Sequence, residues 1–195
     1  MSQTNGKTPA FQLDVRPARL ADVPQMMPLL NEYVRQAEIL PRREADVYQS
    51  IRDWVVVETA GKVLGMGALV ILWHDLAEIR SLVIDPAYQG QGLGQAIVDR
   101  LLVEAKMLEL PRVFALTRKP GFFLKLGFLL TRMEDLPRKV QKDCVFCPKF
   151  KACDEVAVIR PLPHLFKVDL AIHSTLSQNG HQSPAAIPQK PQKRG

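Results

Sequence analysis

A mixed α/β fold, one sheet covered by helices on both faces, is predicted by three observations. The first is a run of strand character at Ile79, Leu82, Val83 and Ile84, halted by Asp85-Pro86 and followed by three glycines within five residues, Gly90, Gly92 and Gly94. The second is the apolar recurrence at Leu93, Ile97, Leu101, Ala105 and Leu108, whose three- and four-residue steps give one helical face. The third is the order of segments around that unit: a helix pair, a hairpin, a central strand, then a βαβ crossover. That order folds most simply as a mixed sheet with helices on both sides.

The elements follow in chain order. Leu13-Asp-Val-Arg16 reads as a first strand. Asp22 is a suitable N-cap for a helix over 23–36, with Pro24 in its first turn. Pro28 removes a hydrogen bond deeper in that helix and so predicts a kink or a later start. The segment 39–44 breaks the pattern, and 45–53 reads as a short second helix. Two strand-like runs, 54–59 and 63–73, are joined by Ala60-Gly61-Lys62, a hairpin signal. After the central strand, the glycine loop and its helix, Arg112–Thr117 is a further strand, and Val156–Arg160 completes the sheet.

With 195 residues, 47% of them hydrophobic, the chain is long enough for one good core. The formal charge of +6 would suggest nucleic acid, but Lys7, Lys190, Lys193 and Arg194 supply four of those charges near the ends. Residues 11–173 keep about +2, so no folded basic face is indicated. The three cysteines are an odd number, no apolar run approaches a membrane span, and the first ten residues lack a signal-peptide core. These features point to a reducing, cytoplasmic setting. Residues 1–10 read as a flexible start, 11–173 as the folded domain, and the Ser/Gln/Pro-rich 174–195 as a disordered basic tail.

A helix that begins inside a glycine-rich turn aims free N–H groups and a positive dipole end at whatever occupies the turn, which favours a phosphate or pyrophosphate. A Walker loop is excluded because Gly94-Gln95-Ala96 offers neither its lysine nor its hydroxyl. The spacing of Gly90, Gly92 and Gly94 also fails the dinucleotide fingerprint. The stretch does resemble motif A of the GNAT acyltransferase superfamily, Gln/Arg-x-x-Gly-x-Gly/Ala, met by Gln89, Gly92 and Gly94. Phe122-Phe123-x-Lys125-x-Gly127-Phe128 is similar to motif B of that superfamily, the short helix beside the thiol arm of the cofactor. Within it, Ala77-Glu-Ile-Arg-Ser-Leu-Val83, Ile39-Leu-Pro-Arg42 and Leu136-Pro-x-Lys139-Val-x-Lys-Asp-Cys144 resemble the N-acetylglutamate synthases. Many of those carry an amino-acid-kinase-like domain that binds arginine, and this sequence has no room for it, so a short stand-alone form is expected.

The resemblance implies an acetyl-CoA-dependent N-acetyltransferase acting on the α-amino group of L-glutamate, the first step of arginine biosynthesis. The backbone of Gln89, Gly90, Gln91, Gly92, Leu93 and Gly94 would hold the pyrophosphate, main-chain groups of Leu82, Val83 and Ile84 the pantetheine arm, and Phe123 would lie beside the thiol. A main-chain N–H near Val83 is the expected oxyanion donor. Glu78 is the candidate base, and an ordinary solvated carboxylate is the alternative. The general acid is unassigned, because many relatives use a Tyr where this chain has Phe123. Arg42 and Arg80 are candidate anchors for the substrate carboxylates, guanidinium forks matching carboxylates in a bidentate manner. If Glu78 and Arg80 share a strand face, as the period of two requires, base and anchor share one cleft; the alternative reading is that Arg80 simply pairs with Glu78.

Cys144, Cys147 and Cys153 are spaced like half of a zinc site with His164 as a fourth candidate, against a reading as reduced thiols; no metal is expected. The expected partner is a small-molecule amine, with neither nucleic acid nor membrane, and a homodimer is left open. Two other readings keep the fold: a different amine or a protein N-terminus as acceptor, and a non-catalytic acyl-CoA sensor.

Overall fold

The computed structural model describes residues 13–163. The expected flexible start, the tail and His164 lie outside that range. A seven-stranded mixed sheet runs in the order β1-β2-β3-β4-β5-β7-β6. Its strands are β1 (Asp14–Pro17), β2 (Trp54–Thr59), β3 (Lys62–Trp73), β4 (Leu76–Ile84), β5 (Arg112–Thr117), β6 (Leu129–Leu130) and β7 (Val156–Pro161). The helices are α1 (Val23–Arg35), α2 (Glu44–Gln49), α3 (Leu93–Met107), α4 (Pro120–Lys125) and α5 (Pro137–Lys142). Among the described residues no helix is long and apolar enough to cross a membrane.

Alternation along β2 builds both faces. Val55 and Val57 pack with Leu93, Ile97, Val98, Leu101 and Ala105 of α3 on one side. Trp54 and Val56 pack with Val23, Met26, Leu30 and Tyr33 of α1 on the other. The period of two of the strand is met by helical stripes of period near 3.6, so each helix buries one face and leaves the other wet. Burying each large apolar side chain removes enough surface to contribute roughly 1.5–3 kcal/mol.

Four local expectations are corrected or narrowed. Asp22 stands at the start of α1, but its carboxylate makes no cap bond; it accepts from Arg16 and from the Arg19 N–H. Pro28 lies inside a helix that already begins at Val23, so the later start is not taken. The expected second helix is divided into α2 and a 3₁₀ turn at Ile51–Asp53. The strand expected to complete the sheet, β7, is inserted between β5 and the two-residue β6, which forms the edge.

Two features of β4 position the site. It pairs with β5 in parallel only at Ala77–Val113 and Glu78–Phe114, although β4 runs on to Ile84. The two strands therefore part, and the later half of β4 faces an opening. A bulge interrupts the β3–β4 register between Met66–Val83 and Ala68–Arg80, and within it Ser81 takes the left-handed φ of 53°. One extra residue shifts the alternation by one. Ala77 and Ile79 face α3, and beyond the bulge it is Val83 that joins the α1 side.

Candidate active site

The opening between β4 and β5 is the inner wall of a cleft of about 1050 Å³. One end is built of main chain. The Tyr33 hydroxyl donates to the Ile84 carbonyl at 2.6 Å, and it accepts from Gln89 Nε2 at 2.7 Å and from the Ile84 N–H at 3.4 Å. Ile84 thus turns its polar groups toward the cleft, whereas the Asp85 N–H is turned to Leu64 of β3 at 2.7 Å. Beyond the β4 turn, Gly90 and Gly92 have φ of 76° and 83°, a left-handed region costly to residues with a Cβ. Gly92 caps α3, so the first turn of a fifteen-residue helix opens on the cleft with its N–H groups free for an anion. At Gly94 a Cβ would lie 3.3 Å from the Phe122 ring, which sets how closely α4 approaches α3.

The other end is built of charged side chains. Glu78 is 3% exposed, and its Oε2 lies 2.8 Å from Arg80 and accepts from Lys139 Nζ at 3.0 Å. Lys139, 8% exposed, also donates to Asp143 at 2.9 Å, one helical turn on, and Arg80 reaches Asp143 at 3.3 Å. Burial pushes the Asp143 carboxyl up, but Lys139 and Arg80 more than offset this and hold it below its ordinary value. Arg42, before α2, donates to Ser81 Oγ at 3.4 Å and forms no ion pair among the described residues. Burial, then Arg80, pulls its guanidinium below the ordinary arginine value. A desolvated cation without a carboxylate partner, as Arg42 is among the described residues, favours an anionic ligand.

Glu78, Arg80 and Arg42 therefore line one cleft, and Arg80 is paired with Glu78 within it. Leu82, Ile84, Gln89, Gly90, Gly92, Leu93, Gly94 and Phe123 also line the cleft. Gln91 is exposed and lies outside the lining. Val83 is 1% exposed, packed on the α1 side and paired with Met66. Main-chain groups alternate along a strand, so with Ile84 turned to the cleft the Val83 groups turn to β3. Leu82 and Ile84 line the cleft, and Val83, expected there as an oxyanion donor, does not.

Sequence reasoning missed Tyr33, Lys139, Asp143 and Glu155 as site residues. Tyr33 reads as one more apolar position of α1, which it also is. Lys139 and Asp143 carry an i,i+4 signal, but nothing in the spacing says that this pair turns inward onto Glu78. Cys144, Cys147 and Cys153 all border the cleft as free thiols, and burial raises the Cys144 thiol. Among the described residues no three His, Cys, Asp or Glu side chains gather so as to hold a metal ion.

The Acetyltransferase (GNAT) family matches residues 23–128, more than half of the chain and all of the cofactor-facing elements. The chain belongs to the GNAT acetyltransferases. An uncharacterised N-acetyltransferase of Chlorobaculum tepidum is 35% identical over 156 residues, 79% of this GNAT chain and 99% of that protein. An amino-acid acetyltransferase of Mycobacterium tuberculosis is 44% identical over 126 residues, 63% of this chain and 71% of its own. Among solved structures, a Mycobacterium tuberculosis protein in complex with CoA and NLQ shares 33% identity at a TM-score of 0.66, covering 76% of this chain and 99% of that one. The N-acetylglutamate synthase of Neisseria gonorrhoeae, complexed with coenzyme A and N-acetyl-glutamate, superposes at a TM-score of 0.71 over 77% of this chain and 35% of that one. At 24% identity that last likeness supports the GNAT fold alone.

Proposed function

We propose that this acetyltransferase moves the acetyl group of acetyl-CoA to the α-amino group of L-glutamate. The amine attacks the thioester carbonyl directly, the C–S bond breaks, and the ammonium proton leaves to a base. The pyrophosphate is received by the Gly90–Gly94 turn and the start of α3, and the pantetheine arm lies along the freed edge of β4 near Leu82 and Ile84. A strand edge without a neighbour offers the ladder of donors and acceptors that such an amide-bearing arm needs.

The observation that carries the acceptor reading is Arg42, a desolvated cation at the acceptor end with only the Ser81 hydroxyl as side-chain partner among the described residues. It suits one carboxylate. The second carboxylate of glutamate shares Arg80 and Lys139 with Glu78 and Asp143. That sharing supports a second reading, in which the acceptor is an α-amino acid with an uncharged side chain, because Arg80 and Lys139 already have carboxylate partners.

Free-thiol release from acetyl-CoA, measured with L-glutamate against L-glutamine, other amino acids, polyamines and short peptides, tests both. A preference for L-glutamate in kcat/KM of tenfold or more, about 1.4 kcal/mol, supports the first reading. Preference for a neutral amino acid replaces it with the second, and turnover confined to polyamines or peptides removes both.

A further inference from the structure

Glu155 stands one residue before β7, whose register pairs Val156 with Thr117 at the end of β5. It is therefore carried on the β5–β7 wall of the cleft, at the level where β5 has parted from β4, and it lines the cleft together with Glu78 and Arg80 on the opposite wall. The two carboxylates differ in their surroundings. Glu78 is clamped at Oε2 by Arg80 and Lys139. Glu155 makes no hydrogen bond or ion pair among the described residues although it is partly buried. The charged groups facing it are Glu78 from β4, Lys139 from α5, Arg118 from the end of β5 and Asp154 beside it. Arg118 is engaged by Asp154 at 2.8 Å and Lys139 by Glu78 and Asp143, so each of the two cations already has a carboxylate partner other than Glu155.

We infer that Glu155, rather than Glu78, receives the acceptor's ammonium group and takes its proton, while Glu78 holds Arg80 and Lys139 in place. In the step, one N–H bond of the ammonium breaks and an O–H bond forms on Glu155; the freed amine lone pair attacks the thioester carbonyl. A carboxylate on the wall facing the opening has the cationic end of an amino acid between itself and the thioester once Arg42 holds the carboxylate end. Burial, and after it the nearby Glu78, raises the Glu155 carboxyl above its ordinary value, which makes it a stronger proton acceptor than a solvated glutamate. The inference rests on the acetyltransferase reading of this cleft and is indifferent to which amino acid is the acceptor.

The test is the pH dependence of kcat for Glu155→Gln, Glu155→Asp and Glu78→Gln, with L-glutamate as acceptor or, if glutamate is not turned over, with whichever amino acid releases most thiol. Absence of glutamate turnover then overturns the substrate and leaves this test intact. The wild type is expected to lose rate as pH falls through a value above the ordinary glutamate pKa of about 4.3. Glu155→Gln is expected to lose kcat by about 10²–10³-fold, within the usual range for removing a general base, with the KM for acetyl-CoA within twofold and the acid limb abolished. Glu78→Gln is expected to keep the acid limb and raise the KM for the acceptor. A Glu155→Gln enzyme with kcat within threefold of wild type, or loss of the limb in Glu78→Gln instead, overturns the inference. Should Glu155→Gln fail to bind acetyl-CoA in calorimetry, Glu155→Asp decides: a displaced limb supports the role and an unmoved one refutes it.

Discussion

The two ends of the cleft are made of different material. The cofactor end is main chain: the free edge of β4, a glycine turn and the first N–H groups of α3, tied together by the Tyr33 hydroxyl. The acceptor end is side chain: Glu78, Arg80, Lys139 and Asp143 in one contact network, with Arg42 and Glu155 lining the cleft around it. A site of main chain is set by backbone geometry, and most side chains near it can change without altering it. A site of buried charges is set by compensation, so that removing one member leaves another exposed to the cost of burial without a partner.

That contrast can be broken by experiment, beginning with the largest effect. Lys139→Ala removes the cation shared by Glu78 and Asp143, and losing one partner of a buried pair costs about 3–5 kcal/mol. Thermal unfolding should fall by on the order of 10 °C for a domain of this size; an unchanged midpoint would show that the acceptor end does not depend on compensation. Arg42→Ala comes next. Loss of a charged hydrogen bond to the substrate, about 1.5–3 kcal/mol, should raise the acceptor KM by roughly 10–100-fold while the acetyl-CoA KM stays within twofold, and steady-state kinetics with each substrate varied reads the split. Gly92→Ala acts at the opposite end: forcing a Cβ into the left-handed region costs about 1–2 kcal/mol, and the acetyl-CoA KM should rise while the acceptor KM does not. If Gly92→Ala moves both constants together, the ends are not separable.

The smallest effect concerns pH. Asp143 has its folded value depressed, so the stability it contributes is present above the unfolded aspartate value of about 3.9 and is lost as pH falls through the folded one. Asp143→Asn should lower the unfolding midpoint at pH 7 and make little difference near pH 2. The step is on the order of 1 kcal/mol or less, because the side chain is partly exposed and solvent screens it.

The same division governs what the sequence discloses. The strand at β4, the glycine turn and α3 are contiguous and strongly patterned, and the cofactor end can be read from one stretch of chain. Tyr33 belongs to that end but comes from α1, so its contact with Ile84 becomes visible only when the sheet brings α1 over β4. The acceptor end has no contiguous signal. Arg42, Arg80, Lys139 and Glu155 are scattered along the chain, and any of them reads alone as a solvated surface charge. Even Glu78 and Arg80, correctly placed on one face by the period of two, gave no sign that Lys139 would close over them. Val83 falls outside the cleft lining for a related reason: sequence shows the strand but not the extra residue inside it, which shifts by one the face counted for each later side chain.

The bulge at Ser81 has a consequence for how this segment can vary. Residues before it carry Glu78 and Arg80 to the charged end of the cleft, and residues after it carry Leu82 and Ile84 to the main-chain end, with Ser81 as the extra residue between the two sets. Substitution at Ser81 has to meet its left-handed φ and removes the hydroxyl that Arg42 reaches. Deleting the residue would restore plain alternation with Leu82 opposite Gly67 and Val83 still opposite Met66, so the faces of Leu82, Val83 and Ile84 would be kept. What the extra residue supplies is a local left-handed turn and the hydroxyl beside Arg42, not the faces of the residues that follow.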